Sequence, residues 1–125
     1  MKKDNKTAIF VALKSLLAAC LPRLKARQDT EKRFDIYGRK KVTVGKKEVD
    51  GMYFASAIIQ KNFVGFYFFP NYTHPMEFAD MPGDLRKCLK GKSCFHIMRS
   101  DAKTIKEIRA LLKKGMNIYK KEGWI

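Results

Sequence analysis

The chain has 125 residues, a mass of 14.5 kDa and a formal net charge of +15, from 27 Lys and Arg against 12 Asp and Glu. Hydrophobic residues make up 46% and aromatic residues 12%, which excludes an intrinsically disordered chain. One core can bury roughly two thirds of the surface at this length, so we expect a single domain over residues 1–125. The three cysteines, an odd number, favour a reducing compartment, and we expect a cytoplasmic protein.

The N-terminal segment is predicted to be a core helix that Pro22 ends or kinks. Its apolar residues recur on one face of a 3.6-residue repeat. They are Ile9, Leu13, Leu16, Leu17, Cys20 and Leu24. A basic leader before an apolar run is also typical of an export signal, but Lys14 divides the run into pieces that are short for that purpose. Neither piece approaches the ~18 apolar residues of a bilayer-spanning helix, so we expect no membrane span.

Three central segments are predicted to be β-strands. Residues 34–37 alternate between polar and apolar, and segments 52–59 and 63–69 are rich in aromatic and β-branched side chains. The sequence Gln60-Lys61-Asn62 between the last two indicates a hairpin turn. The Lys- and Gly-rich segment 38–50 is expected to be an exposed ribbon or loop, and segment 23–33 is polar and charged.

The C-terminal part is predicted to contain a short helix over residues 82–90, closed by Gly91, then a strand over 93–99 and a long helix. The long helix begins after Ser100 or Asp101 and stops before Gly123, with Trp124 or Ile125 folding back on it. Its apolar face comprises Ile105, Ile108, Leu112 and Tyr119, with Leu111, Met116 and Ile118 beside them.

This order of elements predicts an α+β two-layer sandwich. An antiparallel sheet of about four to five strands would carry the N- and C-terminal helices on one face. The hairpin over 52–69 is apolar on both faces, so the second face must also be covered. We expect the connecting segment 71–84, a second copy of the chain or a ligand to cover it.

Three runs of residues resemble a known family. They are FVGFYFFP at 63–70, KGKSCFH at 90–96, and KG at 114–115 followed by KEGW at 121–124. With these runs the chain resembles the YdhG-like family of small bacterial proteins, which is related in fold to frataxin and sometimes labelled as iron chaperones. The resemblance covers nearly the whole chain. It implies a two-layer α/β sandwich, offers iron handling as an alternative function, and supplies no catalytic residue.

A ligand site is predicted either at the corner between Lys87 and His96 or on the free sheet face. The corner places two lysines and Gly91 beside exposed backbone amides, an arrangement that suits an anion. Positive residues also favour a helix C-terminus, so a structural role is the alternative. The candidate ligand residues are Lys90, Lys92, Ser93, His96, Tyr67 and Phe63. The leading interpretation is a non-enzymatic binding or accessory domain for an unknown small molecule or protein, with a homodimer through the sheet face as one possibility.

The positive charge is unevenly distributed along the chain. Residues 1–50 have 14 basic and 6 acidic side chains, residues 86–125 have 12 and 3, and residues 51–85 carry a net −2. A cationic face on the last helix predicts weak, sequence-independent binding of nucleic acid or another polyanion, although a solvated surface is the plainer interpretation. The candidate polyanion residues are Lys106, Arg109, Lys113 and Lys120.

Metal binding is the weakest of the three hypotheses. Cys94 and His96 lie two apart on a predicted strand and so share a face, and His74 is the third candidate ligand. The spacing of Cys88 and Cys94 does not match a zinc site, and a fourth ligand is lacking. We therefore expect no metal or other cofactor. No carboxylate pair, nucleophile–base spacing or phosphate loop favours an enzyme.

Overall fold

A computed structural model of the protein describes residues 5–125. Two long helices lie on one face of a six-stranded antiparallel sheet, next to a separate two-stranded sheet. In chain order the elements are α1 Lys6–Ala18, β1 Leu24–Asp29, β2 Arg33–Gly38, β3 Lys41–Val44, β4 Lys47–Asp50, β5 Tyr53–Ile59, β6 Val64–Phe68, α2 Pro70–Thr73, a 3-10 turn Pro75–Phe78, α3 Gly83–Cys88, β7 Leu89–Lys90, β8 Cys94–Ile97 and α4 Ala102–Lys121. The predicted α+β class is confirmed.

Helix α1 forms from the predicted apolar repeat but is shorter than the repeat suggests. The Asn5 side chain caps it by accepting a 2.7 Å hydrogen bond from the Thr7 amide. The helix ends at Ala18, so Cys20 lies beyond it and Leu24 opens strand β1 instead. Extending the predicted stripe through Leu24 was therefore wrong, because Pro22 cannot continue a helix and disfavours a helical residue before it.

Helix α4 matches its prediction at both ends. Asp101 is the residue before the helix, and Gly123 follows it with a φ of +78°. The Trp124 amide then donates to the Tyr119 carbonyl at 2.9 Å, and the two rings meet edge to face at 5.0 Å. The buried residues of α4 are Ile108, Leu111, Leu112, Gly115, Ile118 and Tyr119.

The main sheet has the strand order β1-β2-β5-β6-β8-β7. The predicted hairpin is confirmed as β5 and β6, while the polar segment after Pro22 supplies the unpredicted edge strand β1. The predicted helix over 82–90 stops at Cys88, because Leu89 turns extended and pairs with Phe95. Gly91, at a φ of +84°, is consequently in the turn between β7 and β8, and its prediction as a helix C-cap was wrong.

The segment after β6 packs on the helix side of the sheet. Phe78 is buried there and meets Phe68 edge to face at 5.2 Å. The expectation that segment 71–84 covers the other sheet face is met only at its start, where Tyr72 stacks on Phe69 at 5.2 Å, and the part around Phe78 covers the helix side instead. None of the helices in the described part of the chain is long and apolar enough to cross a membrane.

Candidate functional site

We call the sheet face away from α1 and α4 the open face. Strand register places a row of four residues across its centre: Asp35, Ser56, Tyr67 and Cys94. The next row points to the helices and is fully apolar: Phe34, Ala57, Phe66 and Phe95. Because side chains alternate along a strand, the open face carries polar groups where the helix side carries the core.

The polar centre of the open face is held together by its own hydrogen bonds. Asp35 is only 3% exposed, and the Arg33 Nε lies 2.9 and 3.1 Å from its two carboxylate oxygens. This hydrogen bond raises the pKa of Arg33. The Tyr53 hydroxyl lies 2.5 Å from the Ser56 Oγ, and burial raises the pKa of Tyr53. These groups are therefore occupied in stabilising the face, and a ligand has to be sought on either side of them.

On the side of the β5–β6 turn, the structure brings the sheet-face candidates Phe63 and Tyr67 together with His96 of the predicted corner. Phe63 and His96 stack with ring centres 3.6 Å apart and planes within 14°. Tyr67 lies across Gly65, since a Cβ on that glycine would come within 2.7 Å of the ring. Its hydroxyl accepts a 3.1 Å hydrogen bond from the Gln60 amide, and burial raises its pKa. We call Phe63, Tyr67 and His96 the aromatic platform.

At the opposite end of the open face lies a cavity of about 500 Å³, which we call the aromatic recess. Tyr53 is its central ring, 5.1 Å from Tyr37 and 5.5 Å from Phe69. Val44 and Val49 of the β3–β4 hairpin line it as well. The rim carries the charged residues Arg27, Lys47 and Asp50. The Arg27 guanidinium sits 4.2 Å above the Tyr37 ring and donates to the Asp50 backbone carbonyl.

The recess depends on the way the β3–β4 hairpin leaves the sheet. Gly51 has a φ of +95°, and a Cβ there would lie 2.3 Å from the Gly38 carbonyl oxygen. Gly38 also packs against Trp124, whose carbonyl would be 3.0 Å from an added Cβ. Glycine is therefore required at Gly51, and a side chain at Gly38 would need Trp124 to shift by a few tenths of an ångström. The sequence-based prediction missed the recess, because the two glycines mark only where the ribbon leaves the main sheet and not how it folds against β5.

A second cavity, of about 740 Å³, adjoins the recess at Val44, which lines both. His74 lies between two polar neighbours there, with its Nδ1 2.7 Å from the Thr73 hydroxyl and its Nε2 3.2 Å from the Glu122 carboxylate. Lys92 lines this cavity too, with its Nζ 5.6 Å from the centre of the Tyr72 ring. The cavity extends the aromatic surface beyond Phe69, which stacks on Tyr72 at 5.2 Å.

The two lysines of the predicted corner, Lys90 and Lys92, lie in different surroundings. Lys92 faces the second cavity, whereas Lys90 is exposed on the edge strand β7. Ser93 contributes its backbone, since its carbonyl accepts the Phe68 amide at 2.8 Å. The corner is therefore a tight turn with one lysine facing a cavity, and the two lysines and the serine do not form one anion site.

The three metal candidates are not brought together. Cys94 and His96 share the open face as predicted, because they pair with Tyr67 and Gly65. His74 is instead held by Glu122 and by an edge-to-face contact with Trp124 at 5.7 Å. Within residues 5–125 there is no group of three or more His, Cys, Asp or Glu side chains placed to hold a metal ion.

The predicted cationic surface lies on the outer side of α4, and we call its four residues the cationic stripe. They are Lys106, Arg109, Lys113 and Lys120, all exposed. At 100° per residue they fall within an arc of about 60° and span about 21 Å of helix. Lys103 and Lys114 beside the stripe pair with Asp84 and Asp80, but the described carboxylates form no ion pair with the stripe itself.

No protein-family model, curated protein or solved structure matches the chain. The resemblance to the YdhG-like family therefore stays a prediction.

Proposed function

We propose that the protein is a non-enzymatic small-molecule-binding domain whose ligand is a planar aromatic anion bound in the aromatic recess. The observation that carries this proposal is a cavity lined by Tyr37, Tyr53 and Phe69 with Arg27 and Lys47 at its rim. The sequence predicted a ligand on the free sheet face near Phe63 and Tyr67. We place the ligand on the same face but at its other end, beside the β3–β4 hairpin.

The aromatic part of the ligand follows from the walls of the recess. A volume of about 500 Å³ is typical of a small-molecule site, which is generally apolar with few polar groups. The neighbouring rings are tilted by about 50° to one another, so they enclose a space and do not stack flat. A planar ring placed between them would meet ring faces and edges, the arrangement that aromatic groups prefer.

The negative charge of the ligand follows from the rim. The rim has two positive side chains, Arg27 and Lys47, and one negative side chain, Asp50. The Asp50 backbone carbonyl accepts a hydrogen bond from Arg27 and so holds the guanidinium in place. A guanidinium fixed above a tyrosine ring is pre-organised for a carboxylate, sulfonate or phosphate. Residues 24–50, which form β1 to β4, contain nine basic and five acidic side chains, and this net +4 adds a favourable long-range field for an anion.

The proposal is tested with a matched pair of probes, 2-naphthalenesulfonate and 2-naphthalenemethanol, titrated by calorimetry. We expect the sulfonate to bind more tightly, and Lys47→Glu to weaken the sulfonate several-fold while leaving the alcohol unchanged. Val49→Trp, which fills the recess, should abolish binding of both. Lys40→Glu, an exposed lysine that does not line the recess, is the control for net charge. Equal loss of sulfonate binding in Lys40→Glu and Lys47→Glu would contradict a rim site.

A further inference from the structure

We propose that the helix side of the molecule docks an acidic amphipathic helix of a partner protein, seated between α1 and α4. The seat is a groove of about 270 Å³, which we call the helix groove. It is lined by Leu16, Ala19 and Cys20 of the α1 end and by Arg109, Leu112, Lys113, Met116 and Asn117 of α4. This surface is on the opposite side of the sheet from the aromatic recess and is independent of it.

The floor of the helix groove suits aliphatic side chains. Leu16 and Leu112 reach it from the core, at 8% and 4% exposure, and Met116 is half-buried. Methionine adapts its shape to the group packed against it. On α1 and its C-cap residue Ala19, small residues recur at positions i, i+4, i+7 and i+11: Ala8, Ala12, Ser15 and Ala19. A partner helix can therefore approach closely and insert one row of apolar side chains.

The positive charge of α4 indicates that the partner helix carries acidic residues beside its apolar row. Helix α4 contains seven basic residues and one acidic residue, Glu107. Arg109 and Lys113 line the groove, and Lys106 and Lys120 continue the cationic stripe on either side. The stripe covers about 21 Å, the length of about 14 helical residues. A partner helix of four turns, with acidic residues flanking its apolar row, would match both the apolar floor and the unpaired cations.

The composition of the helix groove favours a protein helix over a nucleic acid. Proteins that bind single strands stack bases on aromatic rings beside their basic residues. The residues that line this groove include no aromatic ring, and the exposed rings of the described chain, such as Tyr72, lie elsewhere. Aliphatic floors with charged rims are typical of grooves that receive an amphipathic helix.

The test uses fluorescence anisotropy with an 18-residue labelled peptide that has leucines along one helical face and glutamates elsewhere. A scrambled peptide of the same composition, with no apolar face, is the matched probe. We expect the amphipathic peptide to bind at low salt and the scrambled peptide to bind about tenfold more weakly, because it cannot fill the groove. Ala19→Trp should weaken the amphipathic peptide and leave the scrambled one unchanged.

Two charge variants locate the binding surface. Arg109→Glu with Lys113→Glu should weaken the amphipathic peptide about tenfold or more, since both cations face the groove. Lys40→Glu with Lys41→Glu makes the same change in net charge away from α4 and should leave affinity within about twofold. Equal binding of the scrambled peptide would overturn the proposal. So would tighter binding of oligothymidylate or phosphatidylglycerol vesicles of matched charge, which would assign the stripe to polyanions or membranes.

Discussion

The Tyr119 hydroxyl of α4 donates a 2.6 Å hydrogen bond to the backbone carbonyl of Tyr53 in β5. The Tyr119 ring also meets the Phe54 ring edge to face at 5.2 Å. This contact joins the helix layer to the strand whose Tyr53 side chain forms the centre of the aromatic recess on the other side of the sheet. The position of the recess is therefore fixed from behind by α4.

Removing this hydrogen bond should destabilise the protein. Tyr119→Phe keeps the ring and leaves the Tyr53 carbonyl without its side-chain donor, so we expect a loss of about 1–2 kcal/mol in the free energy of unfolding. Tyr72→Phe, at a ring that is 51% exposed, is the matched control and should change stability by less than about 0.5 kcal/mol. Urea denaturation followed by circular dichroism measures both, and an equal effect of the two variants would contradict the role of Tyr119.

The free energy of unfolding should fall in alkaline solution because one cysteine thiol and two tyrosine hydroxyls are shielded from water in the folded protein. Burial raises the pKa of Cys20 from 9.0 to about 11, and raises the pKa values of Tyr53 and Tyr119 well above 10.0. Each such group keeps its proton in the folded state and loses it in the unfolded state, so its stabilising contribution is complete below its unfolded pKa. That contribution is lost by about 1.4 kcal/mol per pH unit as the pH rises from the unfolded pKa to the folded pKa.

The decline should begin near pH 9 through Cys20 and steepen above pH 10 through the two tyrosines. Urea denaturation at a series of pH values measures it. Lysines also titrate in this range, so the comparison is with Cys20→Ala and Tyr119→Phe. In Cys20→Ala the decline in stability should be shallower between about pH 9 and 10. In Tyr119→Phe it should be shallower above about pH 10. Parallel curves for the three proteins would show that these groups do not cause the decline.

The ion pair on the open face should respond asymmetrically to substitution. The Arg33 side chain is 51% exposed, whereas that of Asp35 is 4% exposed. Arg33→Met leaves a buried carboxylate unpaired and should cost about 3 kcal/mol, whereas Asp35→Asn leaves a solvated guanidinium and should cost about 1 kcal/mol. Chemical denaturation at neutral pH compares them. A loss for Arg33→Met no greater than that for Asp35→Asn would mean that Arg33 does not stabilise the carboxylate.

Gly115 is where α4 comes closest to the sheet-side core. A Cβ there would lie 2.8 Å from the Phe68 ring, which is fully buried, and 3.0 Å from Pro70. Alanine favours a helix over glycine by about 1 kcal/mol, but overpacking a core costs about 1–3 kcal/mol. Gly115→Ala should therefore lower the melting temperature, while Asn117→Ala, exposed on the same helix, should raise it slightly. Stabilisation by Gly115→Ala would show that Phe68 can move aside.

The elements with strong periodic patterns were predictable from the sequence. The β5–β6 hairpin and α4 follow from aromatic alternation and a long apolar stripe, and Gly123 ends α4 as expected. Strand β1 was not predictable because it is an edge strand with one fully buried residue, Leu24, and an exposed second half. The same residue continued the apolar repeat of α1, so the period alone assigned it to the wrong element.

The candidate site was predictable only in part. Phe63 and Tyr67 were assigned to the sheet face and His96 to the corner, and the register shows that Tyr67 and His96 lie on the same face. The recess is different, because it forms between Tyr53 and Val49 of separate sheets. Its existence depends on how the β3–β4 hairpin folds relative to β5, and a local pattern does not contain that information.

The most direct measurement of the central claim is an NMR titration of isotope-labelled protein with 2-naphthalenesulfonate. If the aromatic recess is the ligand site, the backbone amide shifts will concentrate at Gly51–Tyr53, Phe69 and the facing residues Val44 and Val49, and Val49→Trp will abolish them. Shifts that concentrate on α4, or on Phe63 and His96 of the platform, would contradict the account.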